Sequence, residues 1–405
     1  MIYRKKYIDR LLAFRDNKII KIITGLRRTG KSTLLEIYRD YLISQGVDNN
    51  AVIHINFELY EYNDIKTDED LYNLIKSKLV ANKKNYILLD EVQEIEHWEK
   101  AINGLSVELD VDIYLTGSNA YLLSSELSTY LSGRYVEIKM LPLSFKEYFT
   151  FHKDSGLSKD DLFSQFMKYG GMPQLTTLPI ESSVINSFLE GIYNTVILKD
   201  VISRNKIKDV DLLKRIFRFL CSNIGSIVSA NSISKFMSKA SKLDKDIRPA
   251  TISNYLTMLE DAYIIYKAER YDVKGKELLK SLEKYYVVDL GIRNNILGYT
   301  DTDYGHMLEN IVYFELLRRG YQVHIGKYDN LEIDFVAVDQ EGNRYYQVAE
   351  TILGELTRDR EFKSLEIVKD NYEKTILTMD KIFPSNKEGI KIKNIIEFLL
   401  EEQVV

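Results

Sequence analysis

The chain carries one cysteine among 405 residues, Cys221, and that alone excludes an internal disulfide framework. Its place after the apolar stretch 216–220 marks it as a core packing residue. The five histidines are scattered, without the short spacings that gather metal ligands. No apolar run reaches the length of a membrane span. The opening segment MIYRKKYIDRLL has neither the apolar core nor the cleavage site of a signal peptide, so a cytoplasmic location is expected. An excess of one charge is also missing: 55 basic residues against 60 acidic give a net charge of -5. That balance argues against a protein that coats nucleic acid over its whole surface, and leaves room for a local basic face. Basic clusters stand at Arg4-Lys5-Lys6, 235–245 and 274–284, each equally readable as a solvated surface. What remains is ordinary globular composition in a chain long enough for two or three domains.

Against that plain background one segment stands out. Residues 25–33 read GLRRTGKST, a phosphate-binding loop of the form G-x-x-x-x-G-K-S directly after the apolar run 19–23. Such a loop works where a strand ends and a helix begins, because free backbone N–H groups and the positive helix terminus then converge on phosphates. Leu34, Leu35, Tyr38, Tyr41 and Leu42 follow at helical spacing, so both flanks comply. Gly25, Arg28, Thr29, Gly30, Lys31, Ser32 and Thr33 are therefore expected to hold ATP, with Lys31 reaching the β/γ-phosphates and the Ser32 hydroxyl on Mg²⁺.

The second half of such a site is an acidic pair at the end of a buried strand. Tyr86-Ile87-Leu88-Leu89-Asp90-Glu91 supplies it. Asp90 is expected to hold Mg²⁺ through water and Glu91 to polarise the attacking water. A third strand, 112–116, ends in Gly117-Ser118-Asn119, where a polar side chain meets the γ-phosphate or the lytic water. Ser118 is the first candidate and Asn119 the second, although Asn119 also suits the cap of a following helix. Arg134 closes the segment LSGR just before another strand, 135–140. It is read either as an arginine offered to a neighbouring subunit's nucleotide or as a surface salt-bridge partner.

GLRRTGKS, LLDEVQ, LTGSN, LSGR, LPLSFKEY and YGGMP together resemble the prokaryotic AAA+ ATPases that carry a C-terminal domain of formerly unknown function, a DUF4143-like domain. YYVVDLGIRN, GHMLENIVYFELLRRG, EIDFVA and YYQVAE are similar to the second half of the same family. The resemblance implies an ATP hydrolase that uses Mg²⁺, with Ser118 or Asn119 in the place called sensor 1, and self-association into a ring, a hexamer. The segment Gly170-Gly171-Met172-Pro173 lacks the arginine that many AAA+ proteins place there as sensor 2. Arg204 is the weaker substitute.

The fold expected is α/β: a P-loop core over 1–143 with strands at 19–24, 52–58, 86–91, 112–117 and 135–140 alternating with helices. A helical lid follows over 144–208, interrupted only by Pro173 and Pro179. Residues 209–292 give three helices and then a two-stranded ribbon, the winged-helix order. In that arrangement Thr251, Ser253, Asn254 and Thr257 face a DNA groove while Lys274 and Lys276 on the wing contact phosphates. Winged helices also dock proteins.

Residues 293–405 are laid out like a restriction-endonuclease domain of the PD-(D/E)xK type. Glu309 sits on a helix, Asp334 on the second following strand and Gln347 on the third. In those enzymes carboxylates bind Mg²⁺ and a lysine stabilises the attacked phosphate. Here the third element reads Gln347-Val348-Ala349, so the lysine is missing, with Glu350 and Lys363 the nearest substitutes. Binding without efficient cleavage is expected. The combined reading is an ATPase that couples hydrolysis to DNA binding, translocation or remodelling, on duplex or branched DNA. A nucleotide-gated switch or scaffold with a protein partner is the alternative, and an ATP-dependent nuclease the third.

Overall fold

A computed structural model describes residues 3–118, 131, 133–203, 205, 207–240 and 247–402. They form two compact units, Met1–Pro142 with Asp261–Tyr263, and Leu143–Glu260 with Ile264–Val405. In the first unit, β1 (Ile20–Thr24), β2 (Val52–Asn56), β3 (Asn85–Asp90), β4 (Val111–Gly117) and β5 (Tyr135–Lys139) make a five-stranded sheet in the order β2-β3-β4-β1-β5. Every pairing in it is parallel. Each residue of β1, β3 and β4 is buried, which is why these strands read as unbroken apolar runs rather than alternating ones. Helices α1 (Lys5–Ala13), α2 (Lys31–Ser44), α3 (Asp68–Lys78) and α4 (Trp98–Glu108) supply the covering layers. Ile8, Leu34, Leu35 and Tyr38 pack with Leu88 and Tyr114, while Leu71, Ile75, Ile102 and Leu105 pack with Ile87 and Ile113.

Register fixes what meets what at the carboxyl ends of the strands, the end where parallel sheets bind ligands. Thr24 pairs with Gly117, Leu89 with Leu115 and Asn56 with Asp90. The glycine-rich loop, the acidic pair and the end of β4 are thus neighbours by construction.

At the opposite end of the sheet lies a buried polar cluster that no sequence pattern announces. Lys21 and Asp112 are both fully buried and ion-paired. Asp112 Oδ2 also accepts from the Tyr114 hydroxyl at 2.9 Å and the Asp16 N–H at 2.9 Å, and Tyr114 meets Tyr38 at 2.7 Å. Burial pulls the Lys21 pKa down against the charge and hydrogen bond of Asp112. Removing one partner of such a pair leaves a bare charge in the core, so Asp112→Ala should cost about 3–5 kcal/mol. Replacing both, Lys21→Met with Asp112→Leu, should recover most of that loss. Urea melts read both, and an unchanged midpoint in Asp112→Ala would show that the pair is not holding the sheet.

The second unit begins with helices Phe145–Phe151, Lys159–Tyr169 and Ser182–Thr195, then a π-helical stretch Val196–Ser203. Ser144 and Ser158 open the first two through reciprocal bonds with Glu147 and Asp161, a start signal visible in the sequence as S-x-x-E and S-x-x-D. Helices Val210–Ser222, Ala230–Ala240 and Pro249–Asp261 follow, with strands β6 (Ile227–Val228), β7 (Ile265–Asp272) and β8 (Glu277–Val287). β7 and β8 form an antiparallel hairpin, and β6 pairs with β8.

The hairpin is not a separate module. β7 pairs in parallel with β9 (Gln322–Tyr328), and the ladder continues through β10 (Leu331–Asp339), β11 (Gly342–Ala349), β12 (Glu373–Thr378) and β14 (Ile390–Asn394) to β13 (Asn386–Lys387). The result is one mixed nine-stranded sheet. The expected limits at 208/209 and 292/293 therefore fall inside a single compact unit. Gly326 lets β9 and β10 approach: a Cβ there would lie 2.8 Å from Ile333 Cβ and 2.9 Å from Val336 Cγ2. Helices Leu290–Leu297, Tyr304–Arg318, Glu355–Glu366 and Ile395–Leu400 complete the unit.

Two motifs that carry the family resemblance act here as joints. Asp289 accepts from the Gly171 N–H at 2.7 Å and caps the helix after it through the Ile292 N–H at 3.2 Å. Burial lifts its carboxyl to about 6 against those hydrogen bonds. Gly170, at φ 78°, has no room for a Cβ beside the Asp289 carboxylate. Arg293, 1% exposed, donates to Cys221 O at 2.9 Å and pairs with Asp303 at 2.7 Å. The YGGMP and DLGIRN segments thus hold the second unit together.

Candidate nucleotide-binding site

The loop after β1 can only be built with glycine. Gly25 has φ 140°, and a Cβ there would lie 2.1 Å from Met140 O. Gly30, at φ 95°, is the left-handed cap of α2. Lys31 is buried and curls back, donating from Nζ to Gly25 O at 3.0 Å and Leu26 O at 3.1 Å. A phosphate entering the loop would take over those contacts, since the carbonyls only hold an ammonium until a stronger acceptor arrives. Thr29 is buried and Arg28 exposed at φ 63°; Ser32 and Thr33 open the first turn of α2, half-buried.

Asp90 is fully buried. Its Oδ1 accepts from the Thr116 hydroxyl, while its Oδ2 has no hydrogen-bond partner. Burial raises the Asp90 pKa above the ordinary carboxylate range, against the pull of the Ser32 and Thr116 hydroxyls. A buried, unpaired carboxylate oxygen beside Ser32 is costly unless something positive approaches it. This donor set fits Mg²⁺ held by Ser32 and, through water, by Asp90. Ser118 makes the same point: it is fully buried and its Oγ has no partner.

Glu91 follows in a left-handed conformation, φ 53°, with its N–H donating to Thr116 Oγ1 at 3.0 Å. One hydroxyl on β4 therefore holds both acidic residues. Nothing in the sequence marks Thr116, the last residue of the run 112–116, as a partner of the acidic pair. Only the register, Leu89 opposite Leu115, places it beside Asp90. Arg134 is exposed at the start of β5, with Nη2 3.3 Å from Asn103 Oδ1. Asn119 and Arg204 lie outside the described residues.

On the helix Pro249–Asp261, Ile252, Tyr255, Leu256 and Leu259 face inward. Ser253, Asn254 and Thr257 are exposed on the other side, and Thr251 is half-buried. Lys274 and Lys276 occupy the β7–β8 turn, both exposed. Lys274 Nζ lies 3.2 Å from Asp329, and Lys276 adopts φ 55°.

Glu309, Asp334 and Gln347 line one cavity of about 660 Å³ with Lys284, Glu332 and Glu361. The basic run 274–284 is not wholly a solvated face, because Lys284 is 3% exposed. Its Nζ lies 2.9 Å from Glu309 and 2.8 Å from Glu332, so an ammonium enters from β8 where β11 offers Ala349. Glu350 also lines this space. The carboxylates are already engaged: Asp334 Oδ2 accepts from the Val348 N–H at 2.8 Å, and Gln347 bridges the Asp334 N–H at 2.7 Å to Glu361 at 2.6 Å. Burial, and next the charge of Glu309, raise the Asp334 pKa well above its usual range. Among the described residues no three His, Cys, Asp or Glu side chains are arranged to hold a metal ion. As arranged, the cavity does not fit a catalytic divalent ion. No described helix is long and apolar enough to cross a membrane.

The first of these sites lies in a segment that resembles a known domain. The profile of an AAA domain matches residues 17–149, and that of a domain of unknown function, DUF8612, matches residues 160–303. The second match differs in identity from the DUF4143-like domain expected after the ATPase core. The Walker-type ATPase PABY2304 of Pyrococcus abyssi aligns at 13% identity over 73% of this chain and 96% of that one, with a TM-score of 0.48. An uncharacterized protein of Haemophilus influenzae is 41% identical over 99% of both chains. One from Methanocaldococcus jannaschii is 32% identical over 92% of this chain and 83% of its own. The chain belongs to one family with these two uncharacterized proteins, built here from an AAA domain followed by a DUF8612 domain.

Proposed function

We propose that the protein is a Mg-ATP hydrolase that couples turnover to binding and remodelling of DNA, working as a ring. The observation that carries the ATPase half is the pair of buried, unpartnered oxygens, Asp90 Oδ2 and Ser118 Oγ, beside a loop whose lysine rests on its own carbonyls. Lys31 and the loop N–H groups bind and orient the phosphates. Mg²⁺, when bound by Ser32 and Asp90, neutralises charge on the phosphate oxygens. Glu91 takes the role of polarising the attacking water, and Ser118 donates to the γ-phosphate or that water. Thr116 keeps Asp90 and Glu91 in register for this work.

The DNA half rests on the order of helices and ribbon over 209–292, on the outward polar face of Ser253, Asn254 and Thr257, and on the exposed Lys274 and Lys276. The restriction-endonuclease-like reading of the remaining sheet is retained as a binding, non-cleaving domain, since the cavity carboxylates are engaged by protein groups. Changing Lys274 and Lys276 to Glu should weaken DNA binding for all sequences and make its salt dependence shallower by about one unit per lysine. DNA should stimulate wild-type ATP turnover several-fold and the double variant less. Unchanged affinity across low and moderate salt, with ATP turnover indifferent to DNA, would discard this half and favour a nucleotide-gated switch that docks a protein.

A further inference from the structure

We propose that Gln93 is the positioning residue for Glu91, fixing the direction in which its carboxylate meets the attacking water. The inference rests on the role proposed for Glu91 in hydrolysis. The backbone of Glu91 is clamped on both sides: its N–H is bonded to Thr116, and its carbonyl accepts from the Glu94 N–H at 3.1 Å. That second bond closes a single 3-10 turn, Val92–Glu94, anchored by the buried Val92 and Ile95. The turn leaves Gln93 alongside Glu91, and the Gln93 Nε2 donates to Glu91 Oε2. A carboxylate only accepts, so the amide nitrogen must face it and the amide orientation is settled by chemistry. The other carboxylate oxygen, Oε1, accepts from no protein group among the described residues, and it is the one left for water.

A purely structural glutamine would have both ends of its amide satisfied. Here the Gln93 Oε1 is buried without a partner. Its amide is held by what it does for Glu91 and not by a network of its own. A neutral donor suits this role, because it orients a base without supplying a positive charge that would compete for the proton. The same logic holds wherever a base is oriented by a third group.

The test uses full-length protein. Gln93→Met keeps length and removes the donor, so kcat should fall at least about tenfold, while ATP affinity and KM stay within about twofold. Gln93→Glu keeps the shape but puts a second carboxylate against Glu91, so its kcat should fall as far at neutral pH. Two facing carboxylates share a proton readily. The Gln93→Glu rate relative to wild type should therefore recover as pH falls towards about 6, whereas the Gln93→Met ratio stays flat. Wild-type kcat in Gln93→Met overturns the proposal, as does a Gln93→Glu ratio that ignores pH, because the new carboxyl can donate to Glu91 only when it is protonated. Wild-type turnover in Glu91→Gln is a different failure and overturns the role of Glu91 with it.

Discussion

Lys31→Ala should lose nucleotide binding, while Glu91→Gln should keep it and turn over ATP roughly 10²–10⁴-fold more slowly. The two outcomes separate because the residues act at different moments. In the proposed site Lys31 would neutralise the β/γ-phosphates in the ground state as well as the transition state, so its loss should appear in affinity. In the proposed site Glu91 would meet only the water, so its loss should appear in kcat alone. Lys31 is buried and already on the loop carbonyls at 3.0 and 3.1 Å, so alanine removes the ammonium from that spot. Fluorescent-nucleotide titration and steady-state phosphate release measure the two effects. Wild-type turnover in both variants would rule the site out.

Arg134→Ala subunits should bind ATP normally but not hydrolyse it, and mixing them with Lys31→Ala subunits should restore part of the activity. The exposed guanidinium carries this expectation: its only described side-chain partner is Asn103 at 3.3 Å, a contact a neighbouring subunit's phosphate would readily displace. Arginines supplied in trans are worth roughly 10³–10⁵ in rate, so even a minority of interfaces joining an intact pocket to an intact arginine should be seen. No activity at any mixing ratio, or full turnover by a strictly monomeric protein, would assign Arg134 to an ordinary surface contact.

The elements of the first unit are legible in the sequence because each announces itself locally. A parallel strand buried on both faces is a continuous apolar run, and the GLRRTGKST loop names its own flanks. Asp90 and Glu91 are legible for the same reason, as carboxylates at the end of such a run. Thr116 and Gln93 are not, since their roles depend on register and on the shape of a single turn, which no residue type encodes. Lys284 is hidden differently: a lysine in a basic run looks solvated, and only the pairing of β8 and the packing of the helix Tyr304–Arg318 bring it to Glu309. The segment beyond residue 350 offers no clear pattern, because its strands are short and its helix Glu355–Glu366 is mostly charged. The links made by Asp289 and Arg293 are visible only as motifs, without any indication that they are mechanical.

The parallel seam between β7 and β9 has a consequence for inheritance. Dividing the gene near codon 292 would leave a raw strand edge on each product, an open row of N–H and C=O groups that invites aggregation. Recombination between relatives would meet the same obstacle. The β7–β8 ribbon and the acidic cavity share one ladder from β7 to β14, so they are bound to travel together through evolution.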